Sequence, residues 1–135
     1  MEINQSSKIK GQSTDKSSKL EVKVRAFYLS LEIIRFIEGF QSRSSLRIIS
    51  DQLIRSITSV GANIVEAKSS SSKREFLNYF QIALKSSNES KYWLAMLREL
   101  LPDHKDKIND FLKETEEISK ILGVSVLTLK GKTKL

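Results

Sequence analysis

The segment from Ser45 to Leu101 constrains the fold most strongly, because it repeats core-type residues at helical spacing in two long runs. The first run consists of Leu46, Ile49, Leu53, Ile57, Val60, Ile64 and Ala67. The second run consists of Phe76, Phe80, Ala83, Ser87, Ser90, Leu94, Leu97 and Leu101. Steps of three and four place side chains on one face of an α-helix. The pattern therefore predicts two amphipathic helices, at residues 45–68 and 73–101.

A serine-rich connection from Lys68 to Lys73 separates the two runs. It is too short for anything but an antiparallel return between neighbouring helices. Ser72 and Glu75 have the spacing of a capping box, in which the serine hydroxyl accepts from the Glu75 N–H and the Glu75 carboxylate accepts from the Ser72 N–H. We therefore expect a helical hairpin whose second helix begins directly after Ser72.

Two further helices flank this hairpin. The first is predicted at residues 20–38, with Gly39 as its stop. Its apolar stripe is formed by Leu20, Val24, Phe27, Leu31 and Ile34. Ile33, Phe36 and Ile37 widen this stripe, so we expect the C-terminal end of the helix to be buried from more than one side. Pro102 ends the third helix, and the fourth is predicted at residues 104–128 with Asp103 as its N-cap. The apolar positions of this fourth helix are Ile108, Phe111, Leu112, Ile118 and Leu122.

The sequence thus predicts an all-α, four-helix bundle over residues 20–129. Residues 1–19 are rich in Ser, Lys, Gln and Asn, so we expect a disordered basic tail. Residues 130–135 are expected to form a second basic tail that frays from the fourth helix.

The residue types needed for most catalytic and metal sites are scarce. The 135 residues include no cysteine and a single histidine, His104, beside Pro102, where a surface position near a helix start is expected. Nor does the sequence contain a glycine-rich phosphate loop. We expect no catalytic residues, no metal, no cofactor and no enzymatic activity. With no apolar run of about 18–20 residues and no signal-peptide pattern, we also expect no membrane span and a cytoplasmic location.

The net charge of +7 is unevenly distributed. Residues 1–19 carry +2 and residues 130–135 carry +3. Between them, residues 23–100 carry 12 basic and seven acidic side chains, whereas the segment from Asp103 to Glu117 is acidic. Such a distribution indicates either a solvated surface or contact with a polyanion.

A polar stripe lies beside the core stripe on helices 2 and 3. Its members are Gln52, Ser56, Ser59, Asn63, Glu66, Ser86 and Glu89. Two interpretations are open: a seam where short polar side chains let the helices approach and bond each other, or a groove that holds a ligand or nucleic acid. Glu66 and Glu89 can approach each other across the hairpin, and paired carboxylates can do acid–base work. No histidine can join them and Arg55 or another basic side chain can neutralise them, so a buried polar network is the favoured interpretation. Gly61 is unfavourable inside a helix by about 1 kcal/mol, so close packing is expected there.

Helix 3 is apolar over a wider arc than a monomeric bundle requires. The surplus consists of Tyr79, Trp93, Met96 and Leu100. Aromatic residues and Met are enriched in subunit interfaces, so we expect this surface to be covered both by the fourth helix and by self-association. The alternative is coverage by the fourth helix alone.

Basic side chains are spread over helices 2 and 3. They are Arg43, Arg47, Arg55, Lys73, Arg74, Lys85, Lys91 and Arg98. In an oligomer these side chains recur in every subunit, and together they produce a positive electrostatic potential that can bind the phosphates of a nucleic acid. They are our candidate nucleic-acid contacts.

The segment from Gln52 to Ala67 resembles the "QLxRSxxSxxANIxEA" signature of the bacterial four-helix-bundle proteins encoded in 23S rRNA intervening sequences. Further matches to that family are Phe40, Phe76, Ala83, Ser86, Glu89, Tyr92, Trp93 and Leu94. The resemblance covers residues 23–128 and extends to the accessory variability protein of diversity-generating retroelements. It implies an antiparallel up-down-up-down bundle assembled as a ring-shaped homopentamer, and no known enzymatic activity. For the retroelement relatives it implies a basic surface that binds RNA or DNA and supports a reverse transcriptase.

The residues that match the family motif or face an interface are assigned to packing or assembly. They are Gln52, Arg55, Ser56, Ser59, Asn63, Glu66, Ser86, Glu89 and Trp93. The leading hypothesis is a non-enzymatic homo-oligomer that binds RNA or DNA through phosphate contacts as an accessory factor. A reverse transcriptase or another protein is a further candidate partner. The alternative is a protein-interaction or assembly module with no nucleic-acid role, whose basic tails only keep it in solution.

Overall fold

The computed structural model describes residues 21–40 and 44–133. These ranges contain four α-helices, which are α1 (Val22–Glu38), α2 (Ser44–Lys68), α3 (Lys73–Leu100) and α4 (Lys105–Thr133). A 3-10 turn at Pro102–His104 links α3 to α4, and no strand occurs within the described ranges. The prediction of an all-α, four-helix bundle is confirmed. The predicted tail at residues 1–19, Leu20 and Arg43 lie outside the described residues.

The serine turn starts α3 as the sequence predicts, with one difference. The Ser72 hydroxyl accepts from the Glu75 N–H at 3.1 Å, and α3 begins at Lys73. The Glu75 carboxylate, however, accepts from the N–H of Ser71 at 3.4 Å rather than from that of Ser72. Both contacts satisfy N–H groups that the helix start and turn leave without a helical acceptor.

The junction between α3 and α4 is built around Pro102. The Leu101 N–H still donates to Leu97 O at 2.9 Å, and the 3-10 turn then begins at Pro102, which has no N–H to donate. Asp103 lies inside this turn instead of forming the N-cap of α4, which begins at Lys105.

The end of α4 differs from the expectation, because the helix continues through Thr133. The predicted basic tail at 130–135 is therefore helical at residues 130–133, and residues 134–135 lie outside the described part. Leu122 and Val126 are buried, and Leu129 lines a hollow beside the α2–α3 turn. The apolar stripe thus continues to Leu129 and favours helix past Gly123.

The predicted apolar stripe of the first helix is wrong at Phe27, but its widening by Ile33, Phe36 and Ile37 is confirmed, since Ile33 is buried and the other two pack against the core. The structure buries Ala26, Leu29 and Ile33 in the core, whereas Phe27 is 37% exposed and Leu31 and Ile34 are only half-buried. Apolar residues occur on nearly every side of α1, so their periodicity does not select one face. Packing against α2 and α4 determines which face of α1 is buried.

Small side chains hold α1 against α2. The Ser30 hydroxyl donates to Ile57 O at 3.1 Å. A Cβ placed on Gly61 would lie 3.6 Å from the Ala26 Cβ, which is ordinary van der Waals contact. The expected close approach at Gly61 is present, but it leaves room for a methyl group. None of the described helices is long and apolar enough to cross a lipid bilayer.

Candidate assembly and nucleic-acid surfaces

The serines of the polar stripe bond to one another between α2 and α3. The Ser90 hydroxyl donates to the Ser56 hydroxyl at 2.9 Å, and both side chains are fully buried. One turn away, the hydroxyls of Ser59 and Ser86 are 2.9 Å apart. Each pair satisfies groups that would otherwise be costly to bury. These four residues therefore serve the packing of α2 on α3.

Asn63 joins the same set of contacts from within α2. Its Nδ2 donates to the Ser59 carbonyl oxygen at 2.8 Å and to the Ser59 hydroxyl at 3.0 Å. The amide therefore orients the hydroxyl that meets Ser86.

Glu89 is the centre of a charged cluster on the outer side of the α2–α3 seam. The Arg55 Nη2 and the Trp93 Nε1 both donate to Glu89 Oε2, the latter at 2.9 Å. Gln52 Oε1 accepts from the Arg55 Nε at 3.1 Å and so orients the guanidinium. The prediction that Arg55 can neutralise Glu89 is confirmed.

The suggested approach of Glu66 to Glu89 is wrong. Ser59 lies level with Ser86, which puts the exposed Glu66 level with Tyr79. Ten residues separate Tyr79 from Glu89 along α3, or about 15 Å at the helical rise. The two carboxylates are too far apart to act as an acid–base pair.

An apolar surface, which we call the outer face, extends from the Glu89 cluster toward the C-terminal end of α3. Its most exposed members are Ile48 at 62%, Tyr92 at 59% and Leu100 at 42%. Trp93 and Met96 are half-buried beside them. The fourth helix does not cover this face, since α4 meets the opposite flank of α3 through contacts such as Ser87 to Ser119 at 2.7 Å.

Three of the candidate cations are engaged within the chain. Arg55 binds Glu89, Lys91 Nζ lies 2.7 Å from Glu116 Oε2, and Arg98 Nη1 donates to Asn109 Oδ1 at 3.0 Å. The hydrogen bond from Lys91 lowers the pKa of the Glu116 carboxyl below its ordinary value. Cations held in this way are less available to phosphates.

Four other candidates are exposed, and none forms an ion pair with a residue that the structure describes. They are Arg47, Lys73, Arg74 and Lys85. Lys73 and Arg74 stand together at the α2–α3 turn, whereas Arg47 lies near the opposite end of α2. These four are the strongest candidates for contacts to phosphate.

His104 is exposed on the 3-10 turn, as expected. Its ring packs edge-on against Phe40 and Phe36, with centroids 4.7 Å and 5.6 Å apart. Among the described residues, no three His, Cys, Asp or Glu side chains are grouped so as to hold a metal ion.

The fold and its seams define an all-α protein of the four-helix-bundle class. The family model of the 23S rRNA-intervening sequence protein matches residues 18–124, so the chain belongs to that family. Among solved structures it is similar to a protein of unknown function from the S23 ribosomal protein family of Bacteroides thetaiotaomicron. That similarity has 30% sequence identity and a TM-score of 0.72, and it covers 78% of this chain and 98% of the other. No curated protein matches the chain.

Proposed function

We propose that this chain is a non-enzymatic, oligomeric accessory protein that binds RNA or DNA through phosphate contacts. The observation that carries the proposal is the set of four exposed cations on α2 and α3, Arg47, Lys73, Arg74 and Lys85, which have no ion-pair partner in the described residues. Cations of this kind contribute sequence-independent affinity by releasing counterions from the phosphate backbone.

The proposed bundle is antiparallel, with its helices alternating up and down. Contact pairs support this arrangement, because residue numbers rise on one helix as they fall on its neighbour. On α2 and α3, Ser56 meets Ser90 whereas Ser59 meets Ser86. On α3 and α4, Ser87 meets Ser119 whereas Lys91 meets Glu116.

The proposed assembly is a homopentameric ring in which the outer face of α2 and α3 contacts a second copy. The face combines aromatic, Met and Arg side chains, a composition favoured at subunit interfaces. Exposed Ile48, Tyr92 and Leu100 support this assignment, since a contiguous apolar surface marks an interaction site. Five copies of the basic surface around a ring would give a stronger positive electrostatic potential than one modestly charged subunit.

Fluorescence anisotropy tests the binding proposal. A labelled single-stranded RNA and a labelled DNA duplex are titrated with the protein at a series of salt concentrations. We expect binding at low salt and a steep, linear loss of log affinity with log salt. No binding of either probe at low salt would contradict the proposal.

The alternative, a protein-interaction module without a nucleic-acid role, is favoured by the outer face itself. It predicts a stable oligomer that binds neither probe. Measuring particle mass and anisotropy on the same preparation separates the two functions.

A further inference from the structure

Three parts of the chain meet at one end of the bundle, which we call the turn end. Leu129 of α4 lines a hollow together with Lys68 and Phe76 of the α2–α3 turn region. The start of α1 lies nearby, because Ala26 is level with Gly61 and Val22 is one helical turn closer to Lys68.

Basic residues are concentrated at this end. The described residues there include five cations, Lys23, Lys68, Lys73, Arg74 and Lys130, and three acids, Glu21, Glu66 and Glu75. In the sequence, residues 1–20 add four Lys and two acids, and residues 132–135 add two Lys. The described residues at the turn end thus carry a net charge of +2.

The hollow lies among the basic residues of the turn end. Its volume is about 370 Å³, with Ala67, Phe76 and Leu129 as an apolar floor. Lys68, Lys73 and the turn serines also line it, and the Lys68 Nζ lies 6.0 Å from the centre of the Phe76 ring. One face of that ring stacks on Phe80, with centroids 4.6 Å apart, so a base can use only the other face or the ring edge. Lys68, Lys73 and Arg74 are all exposed.

We propose that the turn end binds single-stranded nucleic acid, with phosphates on Lys68, Lys73 and Arg74 and one base in the hollow against Phe76. Proteins that hold single strands combine a basic surface with an aromatic side chain on which a base stacks. The hollow is shallow and open to solvent, and an apolar patch of this size with an aromatic side chain suits one base turned out from a strand. The inference rests on the proposed function and gives it a location.

The experiment compares two triple variants of equal net charge. Lys68→Ala/Lys73→Ala/Arg74→Ala removes the turn-end cations, whereas Lys105→Ala/Lys113→Ala/Lys120→Ala removes three exposed Lys of α4. Circular dichroism checks that both retain the wild-type helix content. The probes are a fluorescein-labelled single-stranded RNA, the matching duplex and vesicles containing an anionic lipid.

For the turn-end variant we expect an affinity loss of at least about tenfold and a salt slope shallower by about two, since each phosphate contact to a single strand contributes about 0.7. The α4 variant should match wild type within about twofold. Phe76→Leu, which keeps an apolar floor, should weaken single-strand binding by about fivefold or more, as expected for a lost stacking contact.

Several results would overturn the assignment. If both triple variants weaken binding equally, net charge rather than the turn end is responsible. If the turn-end variant binds normally while Arg47→Ala/Lys85→Ala does not, nucleic-acid binding stands but this location is wrong. Vesicle binding without RNA binding would identify a membrane surface instead, and a wild-type protein that binds no probe would remove the proposed function together with this site.

Discussion

Arg25 of α1 and Glu114 of α4 are joined by two parallel hydrogen bonds, Nε to Oε2 at 2.9 Å and Nη2 to Oε1 at 2.7 Å. The Arg25 side chain is only 4% exposed and that of Glu114 is 24% exposed. The hydrogen bond to Glu114 raises the pKa of the Arg25 guanidinium, so burial does not neutralise it. This pair ties the first helix of the bundle to the last.

Removing one partner of this pair should be strongly destabilising. Glu114→Ala leaves the buried Arg25 cation without its carboxylate, and we expect the free energy of unfolding to fall by about 3 kcal/mol. Urea denaturation at neutral pH measures the change. Glu99→Ala is the matched control, because Glu99 is 76% exposed and its pair with Arg98 should contribute under about 1 kcal/mol. Equal losses in the two variants would contradict the role assigned to Arg25 and Glu114.

The ion pair of Lys91 and Glu116 predicts a small acid sensitivity. The hydrogen bond from Lys91 lowers the pKa of Glu116 below its ordinary value of 4.5. A lowered pKa in the folded state contributes stability that is present above about pH 4.5 and is lost as the pH falls through the lowered pKa. Because the Glu116 side chain is 46% exposed, solvent screens the contribution to less than about 1 kcal/mol.

Glu116→Gln should therefore be slightly less stable than wild type at neutral pH, and the two proteins should become equally stable in acid. Urea midpoints measured from neutral to acidic pH test this expectation. If the difference in urea midpoint between wild type and Glu116→Gln widened toward acid, the predicted direction of the pH dependence would be wrong.

The space beside Gly61 predicts a stabilising substitution. A Cβ at this position would make ordinary contact with Ala26 at 3.6 Å, so Gly61→Ala fits without moving α1. Removing a glycine from a helix interior should then raise the free energy of unfolding by about 0.5–1 kcal/mol. Thermal and urea denaturation measure the gain.

Gly123→Ala is the control for this effect, since a Cβ there would meet nothing within 4 Å and only helix propensity changes. Gly61→Leu should instead destabilise the protein, because a larger side chain must push α1 away from α2. If Gly61→Ala lost stability while Gly123→Ala gained it, the α1–α2 contact would be tighter than the geometry indicates.

The proposed assembly predicts that a charge on the outer face dissociates the oligomer. Leu100→Lys places an ammonium group among apolar side chains that a second copy would bury, and desolvating it is unfavourable. Light scattering during size-exclusion chromatography should give a pentamer mass for wild type and a monomer mass for the variant.

Leu127→Lys is the matched control for this prediction. Leu127 is 72% exposed but lies on α4, away from the outer face, so its replacement should leave the mass unchanged. A monomeric wild-type protein, or dissociation by Leu127→Lys alone, would contradict the outer face as the contact surface.

The sequence predicts the elements of this fold well where one apolar face is clear. In α2, all but one residue of the predicted stripe, from Leu46 to Ala67, is buried, and the exception, Ile49, is half-buried. The Ser72 cap follows equally from local chemistry, because a hydroxyl three residues before Glu75 reaches its N–H without help from the rest of the chain.

Features that depend on contacts between helices were not predictable in this way. Arg25 resembles a surface residue in the sequence, and its carboxylate partner is 89 positions away. The choice of buried face on α1 is set by α2 and α4, since α1 alone offers apolar residues on several sides. The basic turn end likewise arises only when the chain path brings Lys68, Lys73 and Leu129 together.

The hydroxyl pairs on the two flanks of α3 also restrict how the helices can be staggered. Sliding α3 by one turn would move it about 5.4 Å along its axis. Such a shift would separate Ser90 from Ser56 and Ser87 from Ser119 at the same time, so that Ser56, Ser87 and Ser90 would keep only the bonds to carbonyls of their own helices. A purely aliphatic seam would tolerate that shear at much smaller penalty. The hydroxyl pairs therefore favour the observed alignment of the helices, and a ring of identical copies needs one common alignment.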